Sequence, residues 1–351
     1  MTNRKKDHLE MAKKSQMRGI DPAKNLDYAP LFMVHPQRVS GQFLDQEEFA
    51  GHVAGKKLLF PLWISSMTGG AESALQINSH LARLAESAGL GFGLGSCRNL
   101  LMENPRNHQT WNDFDMKPIL QKSPLGANIG IAQIAELIKS KKIFLLEQMI
   151  EELQADLLFI HLNPIQEILQ PEGDYFAESS LGILENFLFL KSQSKLFKNI
   201  PIFVKEVGQG MSKNCLRSLL KIDIQGIEFG AFGGTNFASI ELARRGVSEN
   251  SPLWALAQIG HSAREMVHYL EELVSLENLQ INKTIIISGG RGDPLEDFEL
   301  WSRVKKMQEN VFIGLGSKLL EKAIEGQVSL KNYFLEYREA FYILHSCLKS
   351  N

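Results

Sequence analysis

Cysteine is scarce in this 351-residue chain: Cys97, Cys215 and Cys347 stand far apart and are odd in number. That pattern argues against a disulfide framework and against a zinc site, and it fits a reducing cytoplasm. Long apolar runs are missing too. A helix that crosses a bilayer needs about 18–20 consecutive apolar residues, whereas runs such as LLFPLWI (58–64) have the length of a strand. Neither charge sign dominates: 38 Lys and Arg stand against 40 Asp and Glu, for a net charge of −2. Nothing global therefore points to nucleic acid or to an anionic membrane as a partner. The basic stretch MTNRKKDHLEMAKKSQMRG lacks an apolar core and carries Asp7 and Glu10, so it reads as neither a signal nor a transit peptide. No low-complexity linker divides the sequence. Its 44% hydrophobic content is enough for a large core, and we read residues 1–351 as a single domain.

What recurs is a short apolar segment that ends in Gly or small polar residues. Eight occur: LLFPLWISSMTGG (58–70), GLGFGLGS (89–96), PLGANIG (124–130), LLFIHLN (157–163), PIFVKEVG (201–208), GIEFGAFGG (226–234), TIIISGG (284–290) and VFIGLGS (311–317). Helical periodicity lies between most of them, over 72–88, 131–153, 178–196, 255–276 and 296–307. Continuous apolar strands alternating with helices imply a parallel sheet covered on both faces. Eight such units in about 260 residues predict an α/β fold of the (β/α)8 barrel type, with a doubly wound open sheet as the structural rival. Residues 1–57 form a leader with its own polar, partly helical pattern, expected over the barrel mouth. Residues 318–351 read as an amphipathic helix whose aromatics, Tyr333, Phe334, Tyr337 and Phe341, serve packing.

Catalytic groups of such a barrel come from the carboxyl ends of its strands, and those ends are loaded here. They carry Ser65 to Gly70, then Ser96, Cys97 and Arg98, then Asn128, then FIHLNPIQEILQPEGD (159–174), then Lys205 and Glu206, then GGTNF (233–237), SGGRGD (288–293) and GLGS (314–317). Gly-rich turns after the last two strands are the usual phosphate site of this fold, because backbone N–H groups reach an anion only where side chains are absent. Thr235 adds a hydroxyl donor. Lys205 sits inside an apolar strand, and a bare buried ammonium is costly. It needs an anionic ring edge, a phosphate or a structural carboxylate. Glu206 is a poor candidate, since strand neighbours point to opposite faces.

His161 and Asn163 share one face of their strand, and Gln166 and Glu167 follow on the loop. A lone His is more often a satisfied core residue and a lone Glu a cap. All four within seven positions at a strand end favour a site. Glu167 is a candidate for Mg²⁺, a hard cation that takes one or two carboxylates plus phosphate oxygens. The cluster RKKDHLE (4–10) reads two ways: a solvated terminus, or a clamp in which Arg4 and Lys5 hold a diphosphate.

Taken in order, RKKDH, SSMTGG, GS-x-R, ANIG, IHLN-x-IQEI-x-x-PEGD, VKEVG-x-GMS, GGTNF and SGG resemble the type 2 isopentenyl-diphosphate isomerase family, from residue 4 to about residue 317. The resemblance implies a (β/α)8 flavoprotein that interconverts isopentenyl and dimethylallyl diphosphates in isoprenoid biosynthesis. It implies reduced FMN and Mg²⁺, with NADPH as reductant, in a homotetramer or homo-octamer. By the same resemblance Ser66, Met67, Thr68, Ser96, Asn128, Lys205 and Thr235 line the flavin, while Gly289, Gly290, Gly316 and Ser317 hold its phosphate. Arg4, Lys5 and Arg98 bind the substrate diphosphate. Gln166 contacts the isoprenoid end and relays a proton, His161 and Asn163 position substrate, and Glu167 binds Mg²⁺. Cys97 stands where the family commonly has Gln, Trp254 is followed by Ala-Leu-Ala-Gln, and Arg291 comes one place early after the two glycines. An FMN-dependent oxidoreductase of the 2-hydroxy-acid oxidase type is the rival activity. HSAR (261–264) has the His-x-x-Arg spacing that such an enzyme would use.

Overall fold

The eight apolar segments all become strands of one closed parallel barrel. The computed structural model describes residues 47–66, 74–170, 173 and 178–348, together with the backbone of two short paired strands, β1 (Arg38–Val39) and β2 (Gln42–Phe43). A hairpin of β3 (Gly51–Val53) and β4 (Lys56–Leu58) leads into the barrel strands. These are β5 (Leu62–Ile64), β6 (Gly91–Gly93), β7 (Leu125–Gly130), β8 (Leu157–Leu162), β9 (Ile202–Glu206), β10 (Gly226–Glu228), β11 (Thr284–Ser288) and β12 (Val311–Leu315). They close in chain order, with β12 pairing β5 in parallel. This is the (β/α)8 barrel expected from the alternation, not the open sheet. Among the described residues no helix is long and apolar enough to cross a membrane.

Alternation along each strand sorts the side chains into two cores. Ile64, Ile129, Ile160, Val204, Ile227, Ile285, Ile287 and Ile313 face outward onto the helices in one large cluster. Trp63, Leu157, Phe159, Phe203, Ile286 and Phe312 face inward as a second cluster. These inward rings reach across the axis, with Trp63 to Phe159 at 5.5 Å and Phe159 to Phe203 at 5.3 Å between centroids. Neighbouring strands make room for them with glycine. A Cβ on Gly91 would lie 2.0 Å from the Trp63 ring, and one on Gly226 would lie 2.1 Å from Phe203.

The hairpin completes this inner core from below. Val53 and Leu58 pack against the inward rings, and the backbone N–H of His52 donates to Asn310 Oδ1 at 2.9 Å. Lys56 Nζ donates to Asp156 Oδ2 at 2.8 Å and to the Ser123 carbonyl at 3.2 Å. Asn310, Asp156 and Ser123 all sit just before barrel strands, so the hairpin closes the amino-terminal end of the barrel. Ala54 and Gly55 both have positive φ, which gives the tight two-residue turn its hairpin twist. The last stretch of the leader therefore lies at the end opposite the mouth, because its apolar Val53 and Leu58 complete a core that only that end offers. Residues 1–37, like most of the leader, lie outside the described residues.

Three expected helices differ in detail. The 131–153 stretch is split into α3 (Ile131–Lys139) and α4 (Ile143–Leu153), following α1 (Ala74–Ala88) and α2 (Trp111–Phe114). Lys141, at φ +58, ends α3 while Lys142 N–H reaches the Leu137 carbonyl at 2.8 Å, a closure normally built on glycine. Next in order come α5 (Pro164–Leu169), α6 (Ser180–Gln193), α7 (Lys213–Lys221) and α8 (Phe237–Arg244). The 255–276 stretch divides into a 3-10 turn, Pro252–Gln258, and α9 (Ala263–Glu277), which starts on a reciprocal cap between Ser262 and Glu265. After α10 (Pro294–Lys305), the tail is two helices, α11 (Ser317–Glu325) and α12 (Gln327–Cys347), divided at Gly326. Phe334, Tyr337 and Phe341 of α12 are buried, as their spacing suggested.

Gly91→Ala should lower stability by about 1–3 kcal/mol, because the added methyl overlaps a tryptophan ring that has no room to move. Urea unfolding of the variant checks this. An unchanged midpoint would mean that the inner core is not packed as described.

Candidate functional site

Above the aromatic layer, the inward positions turn polar. Ser65 just after β5, Asn128 on β7, His161 on β8, Lys205 on β9, Glu228 on β10 and Ser288 on β11 line the floor of a cavity of about 350 Å³ at the carboxyl ends of the strands. The same cavity is lined by Ser66, Ser96, Arg98, Asn163, Gln166, Glu167, Thr235, Gly289, Gly290, Gly316 and Ser317. Every site residue expected from the sequence that lies among the described residues therefore faces one space. Arg4, Lys5, Met67 and Thr68 lie outside the described residues.

The floor is held by few bonds. Ser65 Oγ donates to Glu228 Oε1 at 2.7 Å, in the gap left by Gly314. The Gly230 N–H donates to Ser288 Oγ at 2.9 Å. Lys205 Nζ donates to the Glu206 backbone carbonyl at 3.0 Å. The Glu206 carboxylate itself turns away and accepts from the backbone N–H groups of Gly208, Gln209 and Gly210, at 2.7, 2.6 and 3.0 Å. Its burial still leaves its pKa raised, with those three amides and Lys205 pulling the other way. Glu206 thus shapes the loop after β9, as the strand alternation foretold, and is no partner for the lysine ammonium.

His161 Nδ1–H donates to Asn128 Oδ1 at 2.9 Å. Burial, reinforced by nearby Lys205, pushes the imidazole down to about 3, so it is neutral at any physiological pH. A neutral ring donating from Nδ1 keeps Nε2 as an acceptor. His161 can orient a ligand; it cannot carry a positive charge into the cavity.

Gln166 and Glu167 occupy the first turn of α5 rather than a loop, with Pro164 fixing the helix start. Asn163 Nδ2 donates to Glu167 Oε1 at 2.9 Å and to Gln166 Oε1 at 3.2 Å. Gln166 Nε2 donates onward to Glu241 Oε1 at 3.3 Å, and Glu241 Oε2 accepts from Arg244 at 2.6 Å. The result is a chain of neutral amides strung between two carboxylates.

On the opposite wall, the turn after β11 meets the amino terminus of α11. Gly289 and Gly290 have φ of +96 and +66, and a Cβ on them would fall 2.1 Å from the Ala231 carbonyl and 2.5 Å from that of Gly233. Only glycine fits this backbone-on-backbone approach. Arg291 was expected as a departure one place early. Its guanidinium folds back beside the turn, donating to the Gly289 carbonyl at 3.1 Å and to Asp297 Oδ1 at 3.3 Å. Asp297 also accepts from Tyr337 of α12 at 2.9 Å, and burial, opposed by Arg291 and Tyr337, raises it to about 6. Cys97 is fully buried, and its thiol is pushed up to about 12 by that burial. It fills space in an apolar setting.

Sequence reasoning missed Glu228, Glu241 and the placement of Arg291. Glu228 carried a usable signal: a carboxylate inside the apolar GIEFG segment poses the same question as Lys205. Glu241 carried none, since it lies 75 residues from Gln166 on a surface helix. The HSAR pair does not reach the cavity. His261 Nδ1 contacts the Tyr269 hydroxyl, and Arg264 is bound bidentately by Glu299 at 2.8 and 2.6 Å. Both are absent from the cavity lining.

Comparison with known proteins adds to this geometry. No family model matches the chain. The isopentenyl-diphosphate delta-isomerase of Rickettsia prowazekii (strain Madrid E) is 31% identical over 270 residues, 77% of this chain and 72% of that protein. That of Rickettsia akari (strain Hartford) is 29% identical over 321 residues, 91% and 85% of the two chains. Among solved structures, a flavocytochrome b2 variant with sulfite bound superposes with a TM-score of 0.59 at 12% identity, over 93% of this chain and 73% of its own. A mandelate oxidase variant with a monooxide FMN adduct gives 0.51 at 10% identity, over 90% and 83%. At such identities the structural likeness is one of fold.

With a folded-state pKa near 3 against an ordinary 6.5, His161 takes up its proton only on unfolding across that interval. Its contribution to stability is complete above about pH 6.5 and is lost as the pH falls toward 3. Denaturation between about pH 7 and pH 4 should show wild-type stability falling more steeply than that of His161→Gln. Parallel slopes would mean that the imidazole is exposed to water.

Proposed function

This chain belongs to the isopentenyl-diphosphate delta-isomerase family, and from that premise we propose that its barrel mouth interconverts isopentenyl and dimethylallyl diphosphates by proton addition and elimination, with FMN, Mg²⁺ and a diphosphate assembled over the polar floor. The observation that carries the reading is the amide pair: Asn163 and Gln166 run side by side along one wall of a cavity whose opposite wall is an anion cradle, and Gln166 is held from behind by Glu241.

The residues present fit FMN, a ligand with hydrogen-bond donors as well as a phosphate. Among the described residues, the buried Ser66 Oγ, Asn163 Oδ1 and Glu228 Oε2 have no partner, and a native interior rarely leaves such atoms unmatched. Lys205, buried with one backbone acceptor, suits an anionic ring edge. Ser66, Ser96, Asn128 and Thr235 surround it, and Met67 and Thr68 belong to the same proposal. Gly289, Gly290, Gly316 and Ser317 are assigned to the phosphate, where turn amides and a helix amino terminus coincide. When bound, reduced FMN supplies an electron-rich face and protonatable ring nitrogens, with NADPH as its reductant.

The reaction shifts a double bond by adding a proton at one carbon and removing one at another, without net electron transfer. A cation-like transition state demands a site with little water and no trapping nucleophile. Gln166 meets that demand: it is neutral, and its two ends are fixed by Asn163 and Glu241. Gln166 is assigned to relay a proton between substrate and Glu241: as Oε1 takes one proton, Nε2 gives one to Glu241 Oε1, and the reverse shift that delivers the second proton restores the amide. Asn163 holds one oxygen of Glu167, and Glu167 would be the residue that holds Mg²⁺. Among the described residues no group of three His, Cys, Asp or Glu could hold a metal unaided. Mg²⁺ at Glu167 would take its remaining ligands from substrate oxygens and water. Arg98 at the rim, with Arg4 and Lys5 of the leader, is assigned to the diphosphate, and His161 to substrate positioning. A cytoplasmic location and a homotetrameric or homo-octameric assembly complete the proposal.

An anaerobic assay with FMN, Mg²⁺, NADPH and isopentenyl diphosphate should yield dimethylallyl diphosphate with many turnovers per NADPH. Flavin bound without product, or reduced by a 2-hydroxy acid, would favour the oxidoreductase instead. Gln166→Ala should lose roughly 10²–10⁴-fold in turnover while FMN binding is retained. Glu167→Gln should raise the Mg²⁺ concentration needed for half-maximal rate, and an unchanged Mg²⁺ dependence would remove Glu167 from the metal site.

A further inference from the structure

We infer that Glu228 is a cofactor-positioning residue whose free carboxylate oxygen accepts a hydrogen bond from a hydroxyl of the polyol linker that joins a flavin ring to its phosphate. The inference rests on FMN as the ligand.

Glu228 is 1% exposed and points inward from β10. Its two oxygens have different fates. Oε1 accepts from Ser65 Oγ at 2.7 Å, which fixes the plane of the group. Oε2 is buried at the cavity wall with no partner among the described residues. Lys205 is its register neighbour on β9, yet Nζ of that lysine donates to the Glu206 backbone. A carboxylate that spends one oxygen on a serine and buries the other unpaired is poised for a donor that arrives from outside the protein.

Strand order says which part of the ligand that is. β10 lies between β9, which carries Lys205, and β11, which runs into the Gly289–Gly290 turn. A ligand with its ring edge at Lys205 and its phosphate at the glycine turn must span β10. In FMN the span is a chain of hydroxylated carbons, and hydroxyls are the only donors it offers. The free carboxylate oxygen is an acceptor, so a hydroxyl matches it.

The test is a cycle of two ligands against two proteins. FMN is compared with an analogue that keeps ring and phosphate but carries a hydroxyl-free five-carbon linker, and dissociation constants are read from flavin fluorescence. The wild-type protein should prefer FMN about tenfold or more, the range of a hydrogen bond to a charged group. In Glu228→Ala that preference should fall to about threefold or less, while the analogue binds both proteins alike. Should the alanine variant fail to fold, Glu228→Gln decides: it keeps the shape, loses the charge, and should reduce the preference at least about threefold. A preference that survives in the variant overturns the inference, as does an equal loss for both ligands, which would place Glu228 at the ring or in the scaffold. A wild-type protein that binds neither ligand would instead bring down the FMN reading beneath it.

Discussion

Closing eight parallel strands into a ring forces every second side chain toward one axis, and those side chains have to fill the space they share. This chain meets the demand differently at its two ends. Its amino-terminal half is filled by aromatic rings set against glycines and sealed by the 51–58 hairpin. Its carboxyl-terminal half carries Ser65, Asn128, His161, Lys205, Glu228 and Ser288 at the positions directly above. The polar layer does not satisfy itself: among the described residues, several buried atoms in and around it are left without a partner. The site is the remainder of the packing problem.

The electrostatics follow from the same layering. A histidine on a dry floor beside a lysine stays neutral, and a glutamate that would be costly there escapes into three loop amides. What faces the cavity beyond the floor is largely amide. Asn163 and Gln166 connect carboxylates without adding charge, which suits chemistry in which a fixed anion beside the reacting carbon would act as a trap. Apart from Lys205 and Glu228 on the floor, the carboxylates beside those amides are Glu167 and Glu241, each tied to an amide by a hydrogen bond.

Much of this was legible in the sequence, for a physical reason. A strand buried on both faces admits polar residues only where they have work or a partner, so Lys205 in FVKEV and His161 in FIHLN stood out. Gly289 and Gly290 stood out because their closeness to neighbouring backbone allows no other residue. The features that were not legible depend on contacts between distant segments. The hairpin's destination is set by Asn310 and Asp156, which no local pattern connects to residues 51–58. The partnership of Gln166 with Glu241 exists only because α5 and α8 pack together. The break at Lys141 escaped notice because a lysine took a conformation that glycine usually signals. Glu228 was available to the logic that found Lys205 and was passed over inside a segment read only as a strand.

The hairpin seal has a kinetic consequence. Among the described residues, Val53 and Leu58 and the aromatic rings close the amino-terminal end beneath the floor, so the cavity opens at the carboxyl ends of the strands. Whatever lies on the floor must enter first and leave last. Substrate and product, being isomers of equal size, must use the same door in turn. Such a cavity imposes an obligatory order of loading: the deep guest stays resident through many cycles, and the shallow one exchanges above it.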